Sequence, residues 1–160
     1  MFYDIYNSKF GDIILVGDEN GLSNLHIEKP DGKRKFDIEK DWIKNPLFFI
    51  AIKDQLDDFF SQKNTSFDIK LNLIGTDFQK SVWLELTKIP FGETRSYQDI
   101  AIAIGKPKAS RAIGMANSKN PIPIIIPCHR VIGKNGKLTG FAHGLELKQE
   151  LLNFENKKES

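Results

Sequence analysis

The 160 residues contain one cysteine, two methionines and three histidines, so soft ligands and imidazoles are scarce. A single cysteine, Cys128, cannot form an internal disulfide, and an available thiol suits a reducing, cytoplasmic setting. It also leaves no cysteine-based metal cluster, and neither a metal nor a cofactor is expected. No apolar run approaches the roughly 20 residues of a membrane span. Met1 to Tyr6 lacks the basic and apolar regions of a signal peptide. The most informative absence is of negative charge. From Ile100 to Leu145 there is no Asp or Glu, while Lys106, Lys108, Arg111, Lys119, Arg130, Lys134 and Lys137 all fall there. The net charge of +2 hides this asymmetry: residues 1–76 carry 10 basic and 13 acidic side chains, residues 77–160 carry 13 and 8. A solvated face normally mixes signs, so the tract is read as facing a polyanion, nucleic acid being the natural partner.

With 40% hydrophobic residues and this length, the chain can bury a real core, as one domain or two small ones. Three short strands are expected at Phe2–Asn7, Ile13–Val16 and Leu22–Ile27, with Lys9–Gly11 and Asp18–Gly21 as turns. Asn45-Pro46 reads as a helix cap with proline in the first turn. Phe48, Ile52, Leu56, Phe59 and Phe60 follow at helical spacing, giving a helix to about Ser61 whose aromatics are core. A further strand is expected around Phe67–Leu71 and a domain boundary near Leu73–Gly75, dividing the chain into 1–74 and 75–160. Thr76-x-x-Gln79 is a capping box, and Phe78, Val82, Trp83 and Leu86 give the next helix, to about Lys88, one apolar face. Ser96-x-x-Asp99 opens another helix, ending at Gly105. After Lys106-Pro107 a third runs from Lys108 or Ala109 to Ala116, which makes a helix-turn-helix. Glu146 to Asn156 is the last helix. The fold class is therefore α+β: a small N-terminal antiparallel sheet with a helix, then a mostly helical C-terminal domain.

The helix after the Lys-Pro turn has a surface of Ala109, Ser110, Ala112, Gly114 and Ala116, leaving Arg111 as its only long polar side chain. Major-groove readers present several long polar side chains to base edges. A surface this small suits close approach of backbone to DNA with a single probe; tight packing in a core is the alternative. Gly133 to Lys137, with its Asn135-Gly136 turn signal, reads as a basic hairpin tip.

Cys128 lies in Pro121-Ile-Pro-Ile-Ile-Ile-Pro-Cys-His-Arg-Val-Ile132. Three prolines exclude an ordinary central strand or helix interior, and three isoleucines demand burial. The economical expectation is a short, buried, extended segment that delivers Cys128 with little backbone freedom. A lone cysteine is most often a small buried hydrophobe. Against that, His129 and Arg130 place a base and a positive charge beside the sulfur, neighbours that lower a thiol pKa. In an extended segment His129 would point away from Cys128, so contact requires a bridging water or a sharp turn.

The run Asn120 to Ile132, with Ile89-Pro-Phe-Gly-Glu-Thr-Arg-Ser-Tyr97, Arg111 and Gly140-Phe-Ala-His-Gly-Leu145, resembles the O6-alkylguanine-DNA alkyltransferase family over about Thr76 to Glu155. The resemblance implies irreversible, single-turnover transfer of an alkyl group from O6-alkylguanine, and also O4-alkylthymine, in double-stranded DNA to Cys128. It implies His129 as a water-bridged base, Glu155 as its orienting carboxylate, Tyr97 as an aid to the departing guanine, and Asn120 as a brace for the active-site segment. Arg111 would fill the stack of a flipped nucleotide, with Lys108, Ala109, Ser110, Gly114, Arg130 and Lys134 beside DNA. The helix would dock in the minor groove, and the chain would act as a monomer. Val131, Ala142, His143 and Lys148 would line the pocket, His143 standing where relatives often have glycine. Nothing in the first 75 residues supplies the cysteine and histidine zinc ligands of some relatives. A non-catalytic protein that binds alkylated bases and a cysteine hydrolase are the other classes in play. Such non-catalytic relatives lack the cysteine, and a hydrolase has no use for a 46-residue basic tract.

Overall fold

The computed structural model describes residues 1–28, 36–134, 136 and 144–156. The chain divides into two compact units, Met1–Leu73 and Ile74–Ser160. The architecture is α+β.

In the first unit β1 (Phe2–Ser8), β2 (Gly11–Asp18) and β3 (Gly21–Glu28) form an antiparallel meander. A fourth strand, β4 (Ile43–Lys44), pairs parallel with β1, so the order is β3-β2-β1-β4. Sequence reading misses β4 because two exposed residues leave no periodicity to detect. The segment expected as a strand around Phe67–Leu71 contributes only one bridge, Leu22 to Leu71, held by Leu22 N–H to Lys70 O and Asn72 N–H to Leu22 O. Gly21 permits this approach: at φ +124 a Cβ would lie 2.8 Å from the Lys70 carbonyl. Asn45 caps the turn that follows β4, its side chain accepting from Phe48 N–H. The turn itself, Pro46–Phe49, is 3-10 helix before α1 (Ile50–Phe60) begins. Three residues per turn shift the phase, so Phe49 is buried and Phe48 is left partly exposed, the reverse of a uniform 3.6-residue reading. α1 sits against β1 through Tyr6 Oη–H to Asp57, the Tyr6–Phe60 ring stack, and the Lys53–Asp4 ion pair.

The second unit begins with α2 (Asp77–Leu86), opened by a complete Thr76–Gln79 capping box, which buries Val82, Trp83 and Leu86. Trp83 Nε1–H donates to Ala116 O at 2.9 Å, tying α2 to α4 (Ser110–Ser118). Before α4 comes α3 (Tyr97–Ala103), with its own Ser96–Asp99 box. α3 ends at a glycine that adopts the left-handed conformation: Gly105 is at φ +77, Gly105 N–H meets Ile102 O and Lys106 N–H meets Ala101 O. Gln98 then braces the turn, donating to Pro107 O and accepting from Ser110 Oγ. The two-stranded parallel pair β5 (Arg95–Ser96) and β6 (Val131–Ile132) brings the start of α3 beside the residues after Cys128. α5 (Leu145–Asn156) closes the unit, burying Leu147, Leu151, Leu152 and Phe154. Gly136 N–H bonds Gly133 O in a turn, while Asn135 and Lys137 of the expected hairpin tip lie outside the described residues.

The proline-fenced isoleucines are buried but not extended. Ile126 N–H returns to Ile122 O at 2.9 Å, and Ile124 adopts φ +73. Left-handed backbone costs a β-branched residue about 1–2 kcal/mol, whereas burying an isoleucine side chain gains about 1.5–3 kcal/mol. Ile124 is 1% exposed, so burial outweighs the strain.

Candidate active site

Cys128 opens a single 3-10 turn, Cys128–Arg130, and not an extended strand. The turn follows from Pro127, whose carbonyl accepts from Arg130 N–H, and from Cys128 N–H bonding back to Ile126 O at 2.8 Å. Two asparagines hold this turn from α4 and its end. Asn120 Oδ1 accepts from Ile122 N–H at 2.9 Å while its Nδ2 donates to Ile126 O at 2.7 Å, bracketing the isoleucine turn. Asn117 Nδ2 donates to Cys128 O at 3.3 Å. Sequence reading singles out Asn120 but not Asn117; the spacing Asn117-x-x-Asn120 at a helix end was the available signal.

Cys128, His129 and Arg130 are all buried, as are Val131, Lys148 and Glu155. His129 Nε2 lies 2.6 Å from Glu155 Oε2. Arg130 grips the same carboxylate with Nε to Oε1 and Nη2 to Oε2, both 2.8 Å, and donates Nη1 to Ile89 O at 2.7 Å. Gly92 N–H adds a bond to Oε1 at 3.2 Å. Arg130 is therefore a correction: expected beside DNA, it is 5% exposed and its charge is committed to a buried carboxylate. A buried carboxylate requires such a partner, and the neighbour of His129 was the cation within reach.

Electrostatics separates these groups. Burial pushes Glu155 up, but its bonds to His129 and Arg130 and their charges outweigh this and hold it at about 2. Burial lowers His129; Glu155 favours the imidazolium, but Arg130 and Lys148 oppose it. With Glu155 ionised, His129 Nε2 carries the proton that bonds it, which leaves Nδ1 as an acceptor. Nδ1 is buried without a hydrogen-bond partner among the described residues. Cys128 departs from the sequence expectation of a depressed thiol. Burial raises it to about 11, although a bond to the Asn120 side chain and the charge of Lys148 pull the other way. Adjacent charge lowers a thiol only where it faces the sulfur, and Arg130 faces Glu155 instead. Burial lowers Lys148 to about 8, partly offset by Cys128. Its Nζ donates to Val131 O and lies 5.8 Å from the centre of the Tyr97 ring.

The remaining candidates divide by position. Tyr97 stands at the start of α3, its ring 3.9 Å from where a Cβ on Gly114 would lie. Tyr97, Ser96, Gln98, Ser110, Arg111 and Lys134 line a cleft of about 440 Å³. Arg111, Lys108 and Lys134 are exposed, Ala109 and Ser110 half-buried. The outward face of α4 is Arg111, Ala112 and Met115, with Lys119 exposed at its C-cap, while Ala116 is buried; Met115, 66% exposed, is absent from the surface expected from sequence. Ala142 and His143 lie outside the described residues.

Comparison with known proteins shows the family of the chain. Residues 77–157 match the 6-O-methylguanine DNA methyltransferase DNA binding domain, and residues 1–73 match the ribonuclease-like domain of the same proteins. A methylated-DNA–protein-cysteine methyltransferase from Methanosarcina barkeri is 56% identical over 97% of each chain. The crystal structure of Mycobacterium tuberculosis OGT in complex with DNA superposes with TM-score 0.87 at 44% identity, over 98% of this chain and 93% of that one. An O6-methylguanine DNA methyltransferase from Methanococcus jannaschii does so with TM-score 0.69 at 29% identity, over 98% and 95%. A chain that the two domain models together cover almost end to end, with its buried cysteine turn inside the match to the DNA binding domain, belongs to the 6-O-methylguanine DNA methyltransferase family.

Proposed function

We propose that Cys128 is the atom on which alkyl transfer ends, that His129 Nδ1 takes its proton, and that the transfer happens once per molecule. The chain is a methylated-DNA–protein-cysteine methyltransferase, a DNA-repair enzyme with DNA as its partner. The observation that carries the assignment of roles is the buried His129–Glu155 pair, 2.6 Å long, with Nδ1 unpaired one residue from the thiol.

At pH 7 a thiol titrating near 11 is about one part in ten thousand thiolate, a deficit of roughly 5 kcal/mol. Ionisation therefore belongs to the reaction and not to the resting state. The thiol proton passes to Nδ1, directly or through one water, and Glu155 stabilises the imidazolium that results. The sulfur then attacks the alkyl carbon, a C–S bond forms, and the C–O bond to guanine breaks with its electron pair going to the base. Tyr97 and Lys148, which meet beside Val131, are the groups placed to steady the departing base. A thioether is not readily cleaved, so Cys128 is consumed. Because the target atom is stacked within the duplex, the nucleotide leaves the stack to reach a buried cysteine. Arg111, on the exposed face of α4, occupies the gap, with α4 in the minor groove and Lys108 and Lys134 on phosphates.

Incubation with O6-methylguanine DNA should add one methyl mass per chain, mapped to Cys128, and Cys128→Ser should add none. Repeated turnover, or modification at another residue, would refute the assignment.

A further inference from the structure

We propose that Arg130 is a positioning residue for the proton transfer: its guanidinium fork fixes the Glu155 carboxylate against His129 Nε2 and so dictates that Nδ1 is the nitrogen left to accept the thiol proton. The inference rests on the reading above that His129 is the acceptor. A turn of three residues puts two consecutive side chains, His129 and Arg130, on one carboxylate, and Oε2 receives both Arg130 Nη2 and His129 Nε2. Arg130 cannot pivot, because Nη1 is held by Ile89 O and the guanidinium carbon lies 5.7 Å from the centre of the Phe91 ring. Phe91 in turn packs edge-on to Phe154, the neighbour of Glu155. A lysine would supply charge without the planar fork that matches both oxygens.

Among the described residues, the charged groups that act on Glu155 are His129 and Arg130 of the turn, while Lys148 of α5 acts on His129 and on Cys128. The loop after α2 contributes only backbone, Gly92 N–H to Glu155 and Ile89 O to Arg130. Lys88 and Glu93, flanking that loop, pair with Glu85 and Arg95. Without Arg130, burial of Glu155 would be opposed by His129 alone, so the carboxyl would take up a proton at higher pH than in wild type. A protonated carboxyl donates to Nε2, which moves the ring proton to Nδ1 and blocks acceptance from the thiol.

The test is the rate of alkylation of the full chain by O6-methylguanine DNA, followed by intact mass from about pH 5 to about pH 9, with ¹⁵N spectra of the His129 ring. Wild type should show the Nε2–H tautomer throughout. Arg130→Gln should lose about tenfold or more at the acid end, the scale typical of groups that orient a working histidine. It should recover toward wild type at the alkaline end and show Nδ1–H where the rate is low. Loss by one factor at every pH, with the tautomer unchanged, would make the arginine merely structural and overturn the proposal. Should Arg130→Gln not fold, Arg130→Lys carries the test, keeping charge and losing the fork. A wild-type profile and tautomer in that variant would equally overturn it, and an acid loss with Nδ1–H would support it. His129→Gln separates this inference from the reading beneath it: if that variant alkylates at the wild-type rate, the acceptor reading itself fails.

Discussion

The two units of this chain bury very different things. Among the described residues, the first unit buries an apolar core and only two polar or charged side chains, Asp4 and Ser23. The second buries Asn117, Asn120, His129, Arg130, Lys148 and Glu155, three of them ionisable and one a guanidinium. Each buried charge costs several kcal/mol unless paired, and apolar residues of similar volume would hold a fold at least as well. What the first unit buries is an ordinary apolar core. The second carries a charged cluster whose arrangement, around one thiol, makes sense as chemistry. The comparison also locates the basic tract: of its seven cations, Arg130 belongs to the cluster, and those described as exposed stand on α4 and the segments beside it.

The largest expected effect breaks the comparison by removing the cluster's charge with acid. Glu155 is depressed from 4.5 to about 2, so its contribution is fully present above pH 4.5 and lost as pH falls toward 2. That is on the order of 3 kcal/mol. Urea unfolding of wild type and Glu155→Gln at about pH 5 and about pH 2.5 should show the wild type losing more over this range by roughly that amount. Parallel losses would mean that the carboxylate is not held ionised by the fold.

Salt tests the outer cations. With Arg130 withdrawn, about four phosphate contacts are expected, giving a slope of log K against log salt near −4 and a loss on the order of a hundredfold from 50 to 200 mM. Fluorescence anisotropy on undamaged duplex reads this directly. Arg130→Lys should leave the slope unaltered, whereas Lys108→Ala should reduce it by about 1.

A smaller effect is expected from Arg111→Ala. Repair of duplex O6-methylguanine should slow by about tenfold, while reaction with the free base stays near wild type, because only the duplex must be opened. Equal slowing on both substrates would assign Arg111 to the pocket instead. Smallest of all, the caps should not distinguish the units. Asn45→Ala and Thr76→Ala each remove one side-chain bond to a helix-start N–H, and each should cost about 1 kcal/mol by thermal melting.

Much of this protein was legible from residues alone. Capping boxes at Thr76 and Ser96, the alternation and turns of the first three strands, and the apolar faces of α2 and α5 are local signals, and local backbone physics decides them. The candidate site rests on a signal of the same local kind: a single cysteine in a proline-fenced run beside histidine and arginine, within a tract free of carboxylates. What only the tertiary structure decided is where each charge points. Arg130 and Lys134 are both cations a few positions after the cysteine, yet one is buried on Glu155 and the other exposed. Glu155 lies 25 positions from Arg130, and no periodicity spans that distance. The thiol's resting state is decided by the fold for the same reason. Proximity in sequence predicts that His129 and Arg130 depress it, whereas burial raises it and the cation whose charge acts on the sulfur is Lys148 on α5. Charge interactions depend on separation and solvent exposure through the fold, and a sequence carries composition and spacing but neither of those.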